Sequence, residues 1–97
     1  MDLAITSLLA AAATVYGIVG GLSVLLQAGQ MRARGSSGDI SLRFLATYVG
    51  GYAIWLLYGL STASIPIVAV NAVGLVSGAV TLSVALKLRC PPARPAC

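Results

Sequence analysis

Histidine and glutamate are absent from this chain, and its only two acids, Asp2 and Asp39, fall outside the long apolar stretches. An intramembrane hydrolase needs an aspartate pair, a metal cluster or a serine with a base, and no such set can be assembled here. A proton- or sodium-coupled carrier generally holds an ionisable or densely oxygen-lined site inside the membrane, which is also missing. Two cysteines without a histidine make a poor zinc site, and no cofactor or metal is expected. With catalysis and energy coupling disfavoured, passive transport, pore formation or a structural role remain. The sequence reads as that of a non-enzyme.

Apolar residues dominate what is present: 59% of the chain is hydrophobic, 8% is charged, and the mean hydropathy is +0.98, far outside the soluble globular range. Stretches 4–26, 42–60 and 65–86 are each long enough to span a bilayer as a helix. Continuous apolar runs of this kind exclude a strand barrel, whose strands alternate in polarity. The predicted fold is an all-α membrane protein, a single three-helix transmembrane domain over residues 1–89 followed by a tail, 90–97. Because the chain opens Met1-Asp2 without a basic segment, and its first apolar stretch is longer than a signal core, that stretch reads as a retained helix.

All six basic residues fall in two places, Arg32, Arg34 and Arg43 around the first loop and Lys87, Arg89 and Arg94 at the C-terminal end. With three spans, both places share one side. The positive-inside rule assigns that side to the cytoplasm, leaving the N-terminus and the uncharged Ser61-Thr62-Ala63-Ser64 connection outside. The net charge of +4 is thus a topology signal. Nucleic-acid binding, which needs basic residues gathered on a folded face, is not expected. Cys90 and Cys97 sit in a proline-rich tail whose cytoplasmic placement argues for free thiols.

Helix-boundary signals agree with these spans. Asp39 or Ser41 is placed to cap the second span, and Pro66 falls in the first turn of the third, where its missing N–H costs nothing. Gly17, Gly20 and Gly21 in the first span, and Gly74 and Gly78 in the third, form small-xxx-small patterns that let backbones approach closely. Gly50-Gly51 in the second span marks either a flexible point or a closely packed one.

Trp55 and Asn71 lie inside consecutive apolar stretches, at positions that place both roughly 8 to 9 Å below the same membrane face. An indole beside an amide suits a sugar, whose C–H faces stack on the ring while its hydroxyls bond to the amide. Each residue has a plainer reading: tryptophan near a helix end is commonly an interfacial anchor, and asparagine within a span is commonly helix glue.

The pieces Leu26-Gln27, Gly35-Ser36-Ser37-Gly38-Asp39-Ile40-Ser41, Trp55-Leu56-Leu57-Tyr58-Gly59 and Ile65-Pro66-Ile67-Val68-Ala69-Val70-Asn71, in this order, resemble the bacterial SemiSWEET sugar transporters of the PQ-loop (MtN3) superfamily. The resemblance covers nearly the whole chain. It implies a parallel homodimer of six helices in the bacterial inner membrane, multi-pass, with the N-terminus outside and the C-terminus cytoplasmic. Such a dimer carries mono- or disaccharides by facilitated diffusion through alternating access. It further implies sugar contacts at Trp55 and Asn71, an extracellular gate residue at Tyr58, a cytoplasmic gate at Phe44 and Tyr48, and a hinge at Leu26-Gln27.

Two departures stand out. The family's Pro-Gln pair is Leu26-Gln27 here, which leaves Gly20, Gly21 and Gly29 as other sources of flexibility, and an acidic outer-gate residue of several members corresponds to Ser64. For Tyr58, Phe44 and Tyr48, an interfacial or lipid-facing position is the plain alternative. Three helices cannot enclose a path of sugar size, so a transporter of this length must assemble. The expected partners are therefore a sugar, the lipid bilayer and a second copy of the chain. Competing functions are a holin-like pore former and an accessory subunit of a larger membrane complex.

Overall fold

A computed structural model describes residues 2–38 and 40–89. The described residues form four helices and no strand: α1 (Leu3–Ser23), α2 (Leu25–Arg34), α3 (Leu42–Ser61) and α4 (Ile65–Lys87). Because α1 and α2 follow one another as a single 32-residue apolar element, three spans result. The helix does not stop near residue 26, where the apolar run ends, but continues to Arg34. Hydropathy reports where the chain leaves hydrocarbon, whereas Gln27, Gln30, Arg32 and Arg34 are good helix formers that prolong the coil beyond it. The long axis of the molecule, 58 Å, accordingly exceeds the roughly 30 Å of a bilayer core.

Side-chain caps set the helix starts. The carboxylate of Asp2 accepts from the Ala4 N–H, the Ser41 hydroxyl from Phe44 and the Ser64 hydroxyl from Ile67, each satisfying an amide with no partner inside its helix. Ser41 thus caps α3. The alternative cap Asp39 lies outside the described residues, as does the tail with Cys90 and Cys97. Pro66 occupies the first turn of α4 as predicted. Gly35 closes α2 in the left-handed conformation, φ 69°, which a Cβ would disfavour.

The centre of the bundle is α4, which packs against α1, α2 and α3, while α1 and α3 do not meet. Its packed face carries Gly74, Ser77, Gly78, Thr81, Val84 and Ala85. Small side chains matter there because membrane helices associate through close backbone approach rather than through expulsion of water. A Cβ built on Gly21 would stand 3.2 Å from the Gly74 Cα, and one on Gly17 would stand 2.8 Å from Val70 Cγ1. By contrast, Gly50 and Gly51 face open space within the chain, so close packing inside one protomer does not account for them.

Packing is tightest at the basic end. Ala28 and Met31 of α2, Leu45 of α3, and Val84 and Ala85 of α4 form the buried apolar cluster. The loop 35–41 is tied to it: the buried Ser37 donates its hydroxyl to the Ala85 carbonyl at 2.7 Å and its backbone N–H to the Leu88 carbonyl at 3.1 Å. These bonds occupy carbonyls that the C-terminal turn of α4 leaves without helical partners.

Candidate functional site

Since α1 and α3 flank α4 without touching, they leave a trough along the bundle with α4 as its floor. Two cavities meet at its α3–α4 side. One, of about 240 Å³, is lined by Ala10, Ala13 and Thr14 of α1, Trp55 of α3, and Pro66, Ile67, Val70 and Asn71 of α4. The second, of about 220 Å³, is lined by Thr47, Tyr48, Gly51, Tyr52, Trp55 and Asn71. Trp55 and Asn71 belong to both. The indole and the amide expected at matched depth therefore border the same space.

The Asn71 amide donates one N–H to the Ile67 carbonyl, one turn earlier, at 2.7 Å. That bond fixes the side chain over the trough and leaves its other N–H and its carbonyl oxygen available, since an amide carries two donors and one acceptor. Trp55 is 56% exposed and Tyr58 51% exposed. Their rings meet edge to face, with centroids 5.6 Å apart and planes at 85°. With more than half of its surface exposed, the indole retains area for a further stacking partner.

Toward the basic end an aromatic ladder climbs α3. The Phe44 and Tyr48 rings lie 6.0 Å apart and those of Tyr48 and Tyr52 lie 4.7 Å apart. The Tyr48 hydroxyl donates to the Tyr52 hydroxyl at 3.3 Å. Sequence reasoning paired Phe44 with Tyr48 and passed over Tyr52, although the spacing of four residues continues to it and three more residues reach Trp55. Tyr52 also packs against Gly74, where a Cβ would collide with the ring. The ladder thus links the predicted gate residues to the Trp55–Asn71 level through a side chain that depends on a glycine of α4.

The first span is interrupted just before Leu26-Gln27. At Val24 the helix is interrupted, and the Val24 carbonyl accepts the Gln27 N–H at 3.0 Å, three residues on rather than four. Leu26 and Gln27 then stand exposed in the first turn of α2. Of the three glycines considered for flexibility, Gly21 is locked against Gly74, while Gly20 and Gly29 face open space.

Residues 5–89 match the sequence model of the family described as "sugar efflux transporter for intercellular exchange". The chain belongs to this sugar efflux transporter family. No curated protein and no solved structure gave a match. Membership agrees with the SemiSWEET-like pattern read from the sequence and with three helices long and apolar enough to cross a membrane. The family is one of transporters, not an enzyme class. Nearly all of the described bundle, from the first turn of α1 to just past α4, lies within the matched region of the sugar efflux transporter family.

Proposed function

We propose that the protein is a passive sugar uniporter, moving mono- or disaccharides by alternating access in a parallel homodimer. The shared position of Trp55 and Asn71 in both cavities carries this reading. Each cavity is smaller than the roughly 300–1,000 Å³ of an ordinary small-molecule site, and both are open along the trough. A second copy facing the trough would close it, double the volume and present two indoles and two amides to one solute. Trp55 and Asn71 bind the sugar; Tyr58 belongs to the outer gate, Phe44 and Tyr48 to the inner gate, and Leu26-Gln27 to the hinge of the first span.

The basic residues at the ends of α2 and α4 orient the dimer in the bacterial inner membrane with the N-terminus outside. Lipid contacts the rest of the surface. Uptake of labelled mono- and disaccharides into proteoliposomes tests the function. Saturable, sugar-selective equilibration is expected. Uptake that treats sugars and unrelated solutes alike would point to a pore, and no uptake by a stable self-dimer would overturn the transport assignment.

A further inference from the structure

A groove of about 350 Å³ runs along the opposite side of α4, between that helix and α2. Its mouth carries Arg32 and Lys87, and its wall is the apolar run Val76, Ala79, Val80 and Val84. At 100° per residue, Val76, Ser83 and Lys87 stand about 120–160° round α4 from Asn71, so the groove faces away from the trough. A second copy seated over Trp55 and Asn71 would leave it open to lipid.

The dimensions and the charge suit one class of ligand. From Lys87 to Val76 is about 16 Å along the helix axis, close to the depth of one leaflet of a bilayer core that is roughly 30 Å thick. Two cations at the surface end and saturated apolar side chains below match a phosphate with a hydrocarbon chain beneath it. Among the described residues the one acid is Asp2, at the start of α1 and hence at the far end of the span from Arg32 and Lys87. The Ser83 hydroxyl in the groove is turned to the Ala79 carbonyl at 2.8 Å, which keeps the wall apolar in character.

We propose that this groove is a binding site for an anionic glycerophospholipid, with the phosphate held between Arg32 and Lys87 and one acyl chain laid along Val76, Ala79 and Val80. Occupancy would brace α2 against α4 at the basic end, below the break at Val24. The site is independent of the sugar assignment.

Native mass spectrometry of the full chain, titrated with phosphatidylglycerol and with phosphatidylcholine of identical chains, tests it. The parent should retain phosphatidylglycerol preferentially. Arg32→Gln with Lys87→Gln should lower that retention roughly fivefold per cation removed, whereas Arg43→Gln with Arg89→Gln, an equal charge change outside the groove, should leave it unchanged. Ala79→Phe, which fills the groove without touching charge, should weaken retention of the lipid. Equal loss in both charge pairs would overturn the site in favour of diffuse surface attraction. Displacement of the lipid by glycerol phosphate at matched concentration would overturn the role of the acyl chain, and absence of any preference in the parent would overturn the proposal outright.

Discussion

The Thr81 hydroxyl of α4 donates to the Val24 carbonyl at 3.2 Å, at the point where the first span breaks, and lies 2.8 Å from the Ser77 carbonyl of its own helix. Thr81 is fully buried, so its one proton is shared between the two carbonyls with no water to replace either. Lipid offers a helix break no hydrogen bonds, and here the neighbouring helix adds a second donor to a carbonyl that already accepts the Gln27 N–H. Thr81→Val keeps the shape and removes that donor. It should cost about 1 kcal/mol of stability, read by unfolding in detergent. Sugar exchange per folded dimer should rise, because the break is less restrained; slower exchange at equal folded protein would show that the bond serves the moving state instead.

Leu26 stands where the resemblance to the SemiSWEET transporters implies a proline, and the structure gives that position a context. Position 26 lies in the first turn of α2, just past the break, where a proline removes no hydrogen bond that the helix uses. Leu26→Pro should therefore fold, dimerise and exchange sugar at least as fast as the parent. A destabilised protein with lower flux per folded dimer would count against a first span that bends here during transport.

Some of this architecture is readable from residues alone, and the rest is not, for physical reasons. Three spans follow from apolar length, and Ser41 and Pro66 mark helix starts because capping is a local matter. The continuation of α2 to Arg34 escapes a hydropathy reading, since leaving hydrocarbon is not the same event as ending a helix. Tyr52 was within reach through the spacing Phe44, Tyr48, Tyr52, Trp55; its dependence on Gly74 was not, because it is set by how α3 and α4 cross. The Thr81–Val24 bond joins residues 57 apart in the chain, and no local pattern encodes it. Trp55 and Asn71 could be placed at one depth from helix geometry, but only the failure of α1 and α3 to meet explains why they share an open trough.

Gly74 supports both the Tyr52 ring and the approach of α1. Gly74→Ala drives a methyl into the ring and crowds Gly21, and should destabilise the bundle by about 1–3 kcal/mol through overpacking. Gly29→Ala, in open space on α2, should instead be neutral or stabilising by up to about 1 kcal/mol through helix propensity. Thermal unfolding of the two variants side by side checks the contrast. Equal effects would mean that the α1–α4–α3 packing is wrong.

No histidine, aspartate or glutamate falls within the apolar stretches 4–26, 42–60 and 65–86, so passive transport, as proposed, needs no carboxylate or imidazole relay there. Sugar should equilibrate across proteoliposome membranes without accumulating. An imposed pH or sodium gradient should leave the plateau unchanged, and concentration of sugar against its own gradient under either condition would contradict passive transport.

Trp55 and Asn71 should fail in different ways when changed, because they supply different interactions to the same solute. Trp55→Ala removes the stacking face, whereas Trp55→Phe keeps part of it and should retain part of the flux. Asn71→Ala removes the free amide groups together with the local bond to Ile67, so hydrogen bonding to sugar hydroxyls is lost while the helix keeps its backbone ladder. In a symmetric dimer each substitution acts twice, and a loss of about 1 kcal/mol per copy compounds to roughly thirtyfold in affinity. Because the trough is open rather than packed, neither alanine variant should disturb folding or dimerisation, which size-exclusion chromatography and cross-linking will report. Flux measured at equal membrane abundance should fall by roughly that factor in both, with the Trp55→Phe variant between them and the parent. Near-normal saturable transport by Trp55→Ala or Asn71→Ala would place the sugar elsewhere and return these two residues to an interfacial anchor and a helix contact.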